Sequence, residues 1–367
     1  MTIILFFLVL FILILVHEWG HFIVAKKTGM RVDEFGIGFP PKLFGKKWNG
    51  TEYTFNVFPI GGFVRIYGEN AQDAAQDKSE GSNIEDSFTS KSKWAQAAVL
   101  IAGVTMNILF AWLLFVIIFM AGLPTAVNEN EATDTAVLTV THVMDEGPAD
   151  IASLPLGAEI TAISAGEEYQ ALLTPTLFKE FTQAHGDTPL TITYTHGGDE
   201  FITSIKPEVG IILDDMERPA VGVALSMIDT VRQPIHMALY EATKVTIHSL
   251  GAIAVGITTL FVDSVRGTAD FSEVAGPIGI VGLVGDAAEF GFTSLMMFTA
   301  IISLNLAVIN MLPIPALDGG RLVFVALEAV MRRPINPVWM SRVNFAGFAL
   351  LMLLMLAVTW SDIAKLL

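Results

Sequence analysis

Four stretches of the chain are long and predominantly apolar. Residues 3–16 (IILFFLVLFILILV) are all apolar, and the run continues through HEWGHFIVA to Ala25. Residues 97–123, 295–317 and 343–361 carry no charge at all. Each comes near the ~20 residues that a helix needs to cross ~30 Å of hydrocarbon. The pattern predicts membrane helices at 1–25, 94–123, 291–318 and 343–362. The first run has no basic residues before it and no small-residue cleavage site; Lys26 and Lys27 follow it. It is therefore read as a retained span, not a signal peptide. Two further stretches are short. IHSLGAIAVGITTLFV (247–262) has 16 residues, and AGPIGIVGLVG (275–285) is shorter and rich in glycine. Residues 227–290 are read as amphipathic or interfacial helices, which leaves about four spans.

Between these runs the period changes. TEYTFNVFPIGGFVRIY (51–67) sets aromatic and β-branched residues around Pro59-Ile60-Gly61-Gly62, which predicts a β-hairpin. Residues 70–92 are polar and predict a loop. Val137-Leu138-Thr139-Val140 and Thr191-Ile192-Thr193-Tyr194-Thr195 alternate as strands do, with a helical stretch near 175–184 before the second. Gly147-Pro148-Ala149, followed by Leu156-Gly157-Ala158-Glu159-Ile160, resembles a PDZ domain. There the fourth segment reads Gly-Asp-x-Ile, and here Ala158 stands at the Asp position. The resemblance implies one α+β PDZ domain over 136–226.

Charge orients the chain. Residues 26–93 hold ten Lys and Arg, whereas 124–235 hold four against eighteen Asp and Glu. Basic residues collect on the cytoplasmic side. So 26–93, with its membrane-associated hairpin, is predicted to be cytoplasmic. The N-terminus, the acidic domain and the C-terminus are predicted outside. Arg321, Arg332, Arg333 and Arg342 make 319–342 a second cytoplasmic segment. A spanning 247–262 would put these arginines outside, which favours an interfacial or packed helix over roughly 236–262. The fold class that emerges is an α-helical polytopic membrane protein with a cytoplasmic β-hairpin and one extracytoplasmic α+β domain.

The formal charge of −16 argues against a nucleic-acid partner, which needs a basic footprint. The absence of cysteine excludes disulfides, thiolate metal sites and thiol catalysis. Any metal must then be held by His, Asp or Glu. His17-Glu18-Trp19-Gly20-His21 is an HExxH motif in the first span. Histidines at i and i+4 share a helix face and can both reach one Zn²⁺. Glu18 beside them is placed to accept a proton from water. Ionisable side chains inside a membrane helix are functional by default. A catalytic zinc needs a third protein ligand and keeps one position open. The best candidate is Asp318, which closes the third run in Asn310-Met311-Leu312-Pro313-Ile314-Pro315-Ala316-Leu317-Asp318-Gly319-Gly320. Two prolines interrupt the helix there, and two glycines permit a close turn. Glu328 is the next candidate.

HEWGH, the PIGGFV hairpin, Gly103-x-x-x-Asn107, the PDZ-like segment and NMLPIPALDGG together resemble the site-2 intramembrane metalloproteases, most of all the bacterial regulators of sigma-E protease. The resemblance covers nearly the whole chain. It implies a zinc endopeptidase that cuts within transmembrane segments, with an anti-sigma factor as substrate and remnant signal peptides as further ones. His17, His21 and Asp318 then match the metal ligands and Glu18 the general base. Asn107, Asn305, Asn310, Pro313 and Pro315 match positions tied to substrate handling. Two features depart from the pattern: one PDZ domain stands where the best-known bacterial member has two, and Val104 replaces a common proline. Two other classes stay open on the residues alone: a membrane metal transporter, and an inactive membrane-anchored PDZ scaffold.

Overall fold

The computed structural model describes residues 2–69, 84–171, 173–212, 216–268 and 275–366. The polar stretch 70–92 is thus seen only from 84 onward, where two short 3₁₀ turns occur at Ile84–Asp86 and Phe88–Ser90. The chain divides into two units, 1–117 with 235–367, and 118–234.

The first unit is a set of long apolar helices with a small sheet. Helix α1 (Thr2–Lys27) contains the whole HExxH run. Its residues 3–16 are apolar on every face, as a helix surrounded by apolar material should be. Strands β1 (Val32–Trp48) and β2 (Thr51–Ile66) follow. Residues 51–66 are strand as expected, but the two halves do not form a hairpin with each other. Phe35 has Val64 on one side and Tyr53 on the other, and Ile37 has Gly62 and Phe55. The first half of β1 thus lies between the two halves of β2, while Lys42–Trp48 pairs with Thr51–Asn56. The buried Thr54 and Asn56 explain why. Their side chains bond Glu34 Oε1 and the Gly38 carbonyl, contacts that only an inserted β1 can offer.

Helix α2 (Lys93–Ala121) is the second long helix. A core of Ala25, Met30, Val32, Ile66, Phe88, Val99, Leu100 and Val325 ties it to α1, the sheet and a later helix. The second unit begins within its last turn. It holds β3 (Leu123–Val127), β4 (Val137–Val143), α3 (Pro148–Ile151), β5 (Glu159–Ala165), β6 (Glu168–Ala171), α4 (Pro175–Ala184), β7 (Leu190–His196), β8 (Asp199–Ile205) and β9 (Val223–Val231). The strand order is β3-β9-β4-β5-β7-β8, with β6 on β5. The unit is wider than 136–226, because β3 pairs with residues 227–231 of β9 and extends the sheet at both chain ends. Leu138, Ile160, Ile163, Phe178, Leu190, Ile192 and Ile205 form its core. Thr174 caps α4 by accepting from Leu177 N, so the helix starts where the sequence placed it.

The first unit resumes with α5 (Ile235–Arg266), α6 (Pro277–Glu289), α7 (Phe292–Met311), α8 (Asp318–Met331) and α9 (Pro337–Leu366). The expected third span is split: α7 stops at Met311 and α8 starts at Asp318, because the Leu312–Leu317 segment holds Pro313 and Pro315. The ambiguous 247–262 is the middle of one 32-residue helix. It begins at Ile235, next to the expected start near 236, and runs four residues past Val262 to Arg266. Among the described residues five helices are long and apolar enough to cross a membrane: α1, α2, α5, α7 and α9. The protein is a polytopic membrane protein.

Candidate active site

The site is built where α1 and α2 touch. A side chain at Gly20 would collide with the Ala102 backbone, and one at Gly103 with both motif histidines. Small residues let membrane helices approach this closely. Gly103 therefore leaves the space in which the imidazoles stand. His17 and His21 lie one turn apart on α1, both 7% exposed, with ring centroids 4.7 Å apart.

The third element arrives from 301 residues further along the chain. Asp318 Oδ2 lies 3.0 Å from His17 Nε2 and 3.3 Å from His21 Nε2. The two Nε2 atoms are 3.1 Å apart. The backbone that carries Asp318 is tightly folded. A Cβ on Gly319 would strike the carbonyls of Met311 and Leu312, and one on Gly320 that of Ile314. Ala316 takes a positive φ of 81° in the same loop. The two glycines are thus needed for close approach, and this turns the first residue of α8 back toward α1.

These three atoms form a set that could hold one metal ion. Three ligands of a tetrahedral zinc at ~2.0–2.1 Å sit roughly 3.3 Å apart, close to the spacing present. Two imidazole nitrogens and a carboxylate oxygen are also the donor types that zinc takes. The donor set fits zinc.

Other groups hold this set from outside. His21 Nδ1 lies 2.8 Å from the Val99 carbonyl, which fixes that nitrogen as the N–H and leaves Nε2 its lone pair. Asn107, one turn beyond Gly103 on α2, is fully buried with its amide nitrogen 3.3 Å from His17 Nδ1. Ser303 of α7 donates to the Asn107 carbonyl. Glu18 is held by the sheet: its Oε2 accepts the backbone N–H of Val64 at 3.0 Å. That N–H lies on the side of β2 away from β1, so residues 61–66 present to Glu18 an edge with no strand partner among the described residues.

The remaining candidates are placed differently. Asn305 Nδ2 bonds the Ile301 carbonyl of its own helix. Asn310 is half-buried near the end of α7, Pro313 is exposed and Pro315 half-buried in the loop before Asp318. Glu328 is engaged elsewhere: Oε2 pairs with Lys93 at 2.6 Å and Oε1 accepts from Ile335 N. Val99, Val64, Gly20 and Ser303 join the site without any sequence signal. Three of them act through backbone atoms or by having no side chain.

A His-His-Asp centre with both histidines buried and an adjacent carboxylate, set in apolar helices, defines a membrane metallopeptidase. The match to the peptidase family M50 model spans residues 5–354, and the chain belongs to that family. The zinc metalloprotease RasP of Geobacillus kaustophilus is 30% identical over 435 residues, covering 99% of this chain and 98% of that one. The regulator of sigma-W protease RasP of Bacillus subtilis is 29% identical over 440 residues, covering 100% and 99%. Among solved structures, the PDZ domain of the SdrC-like protein from Listeria monocytogenes matches at 27% identity. It covers 26% of this chain and 92% of that one, with a TM-score of 0.21. The chain is an intramembrane zinc metalloendopeptidase.

Proposed function

We propose that the enzyme hydrolyses peptide bonds within transmembrane segments of single-pass membrane proteins, an anti-sigma factor among them. His17, His21 and Asp318 hold the zinc, and Glu18 is the general base. The observation that carries this is the hydrogen bond from the outer edge of the 61–66 strand, through Val64 N–H, to Glu18 beside the His-His-Asp set.

A peptide bond inside a helix is shielded by its own turn, so the substrate must be unwound first. Unwound backbone in a membrane needs new hydrogen-bond partners. The 61–66 edge supplies them by strand addition. Alternation along the strand puts the N–H groups of Gly62 and Ile66 on the same edge as that of Val64. Asn305 and Asn310 offer further donors and acceptors, and Pro313 and Pro315 keep the loop before Asp318 non-helical. Bound zinc supplies Lewis acidity, which polarises a carbonyl and makes water a nucleophile near neutral pH. Glu18 accepts the proton of the attacking water and delivers it to the leaving amine.

The segments 26–93 and 319–342 are cytoplasmic; the N-terminus, the acidic unit and the C-terminus lie outside the bacterial inner membrane. Contacts support this sidedness. Lys93–Glu328 and Arg321–Glu69 gather the basic segments at one end. Asp362 with Gly276 and Gly279, and Gly285 beside Thr2, gather the other. A crossing α5 would put the arginines of 319–342 outside, so the charge pattern keeps α5 on the outer side and four helices span.

The deciding experiment uses Glu18→Gln in the native membrane. Membrane proteins that accumulate uncut in this variant, and are cut by the purified wild type, are substrates. No accumulating protein, together with no cleavage of any model transmembrane segment, would reject the reading.

A further inference from the structure

The buried Asn107 side chain carries an unsatisfied atom. Its Oδ1 has no hydrogen-bond partner, although the residue is 0% exposed. Its Nδ2 meanwhile stands 3.3 Å from His17 Nδ1. An unsatisfied buried acceptor costs about 1–3 kcal/mol. The neighbouring nitrogen shows how the deficit is resolved.

His17 Nε2 faces Asp318 Oδ2 and His21 Nε2, inside the metal-holding set. A neutral imidazole that offers the lone pair of Nε2 carries its proton on Nδ1. His17 Nδ1 is then an N–H donor, and the amide nitrogen facing it is a donor as well. Two donors at 3.3 Å do not bond. Half a turn of the Asn107 amide exchanges its two terminal atoms. Oδ1 then receives the imidazole N–H, and both the orphaned oxygen and the donor conflict disappear.

We infer that Asn107 is a positioning residue for zinc: its Oδ1 accepts the Nδ1–H of His17 and holds that ring in the tautomer and orientation that present Nε2. Val99 O does the same for His21. One acceptor is a backbone carbonyl of α2 and the other a side chain two turns further along the same helix. Both histidines of α1 are thus oriented by α2, on either side of Gly103. The backbone of Asn107 is itself fixed by Ser303 Oγ at 2.8 Å. This assignment rests on His17 as a zinc ligand and moves Asn107 from substrate handling to the support of the metal.

The test is the affinity for zinc, measured by competition with a chromophoric chelator on the full-length protein in detergent. The variants are His17→Ala, Asn107→Ala and Asn107→Asp. Loss of an outer partner of a metal-bound histidine typically weakens binding about 10–100-fold. Asn107→Ala should fall in that range, with the melting temperature of the zinc-free protein unchanged. Asn107→Asp keeps an acceptor and has no N–H to donate, so it should bind zinc within about threefold of wild type or more tightly. Wild-type affinity in Asn107→Ala overturns the inference, and so does equal weakening in Ala and Asp, which would make the amide a donor or mere packing. Unchanged affinity in His17→Ala would instead overturn the ligand assignment beneath it. A second measurement needs no variant at position 107. In zinc-loaded protein with ¹⁵N-labelled histidine, His17 should carry its proton on Nδ1; a proton on Nε2 overturns the inference.

Discussion

Val64 donates its backbone N–H to Glu18 Oε2 at 3.0 Å, which joins the free edge of a strand to the carboxylate of the HExxH motif. The strand therefore orients Glu18, and in the proposed mechanism it also offers a surface to an extended chain. Replacing Val64 by Pro removes that N–H and leaves every metal-holding side chain in place. Hydrogen bonds to charged groups contribute about 1.5–3 kcal/mol, so cleavage of a transmembrane substrate should fall at least about tenfold. Zinc content should stay at the wild-type level. Unaltered cleavage would mean that Glu18 is positioned without the strand.

Glu18→Gln keeps the size of the side chain and loses its basicity. General-base contributions are typically ~10²–10⁴-fold, so cleavage should drop by that factor while zinc remains bound. Elemental analysis beside a cleavage assay reads both. Chelation of the wild type should abolish cleavage, and added zinc should restore it. Loss of zinc in Glu18→Gln would make Glu18 a ligand.

Asp318 and Glu328 separate by their partners. Asp318→Ala should lower zinc occupancy together with activity, because its Oδ2 faces both histidines. Glu328→Gln should keep zinc, because Glu328 is bound to Lys93 and to Ile335 N. Its effect belongs to the junction of α2 and α8 and should show as a lower melting temperature. Full zinc in Asp318→Ala would send the search for a third ligand elsewhere.

Gly103→Ala opposes two effects. Alanine is about 1 kcal/mol better than glycine inside a helix. The added methyl, however, would lie 2.8 Å from His17 Nε2 and closer still to that of His21. The helix content by circular dichroism should be unchanged or higher, whereas zinc occupancy and cleavage should both fall. Normal zinc binding in this variant would show that the two helices can part without loss.

Asp229 of β9 provides a pH prediction in the second unit. It accepts from Thr133 Oγ1 at 2.8 Å, from Thr133 N and from Thr135 Oγ1, which tie down residues 133–135. These bonds favour the ionised carboxylate, the Thr133 hydroxyl most of all, and hold its pKa below the ordinary value. A carboxyl with a lowered folded pKa stabilises the fold above its unfolded pKa, near 3.9. That contribution is lost as pH falls through the folded value. Limited proteolysis should therefore find cleavage within 128–136 rising as the pH drops below about 4. Asp229→Ala should show the same cleavage already at neutral pH. Equal protection in both proteins at neutral pH would contradict it.

Much of this protein could be read along the chain. The four apolar runs marked α1, α2, α7 and α9, since the bilayer length acts on local composition alone. The i and i+4 spacing of His17 and His21 put two imidazoles on one face, and Leu312–Leu317 with its prolines broke the third run before Asp318. Helix α4 was legible from its pattern and began at its Thr174 cap. The tertiary structure decided what depends on distant partners. The two halves of 51–66 looked like one hairpin but flank β1, because Thr54 and Asn56 need contacts from 34–38 that no local pattern encodes. That α5 runs on past Asp263 to Arg266 lay beyond its apolar run, which ends at Val262. Val99, through its carbonyl, and Val64, through its N–H, enter the site by backbone atoms that every residue has. Their identity carries no signal, and only the approach of α2 and the sheet to α1 selects them.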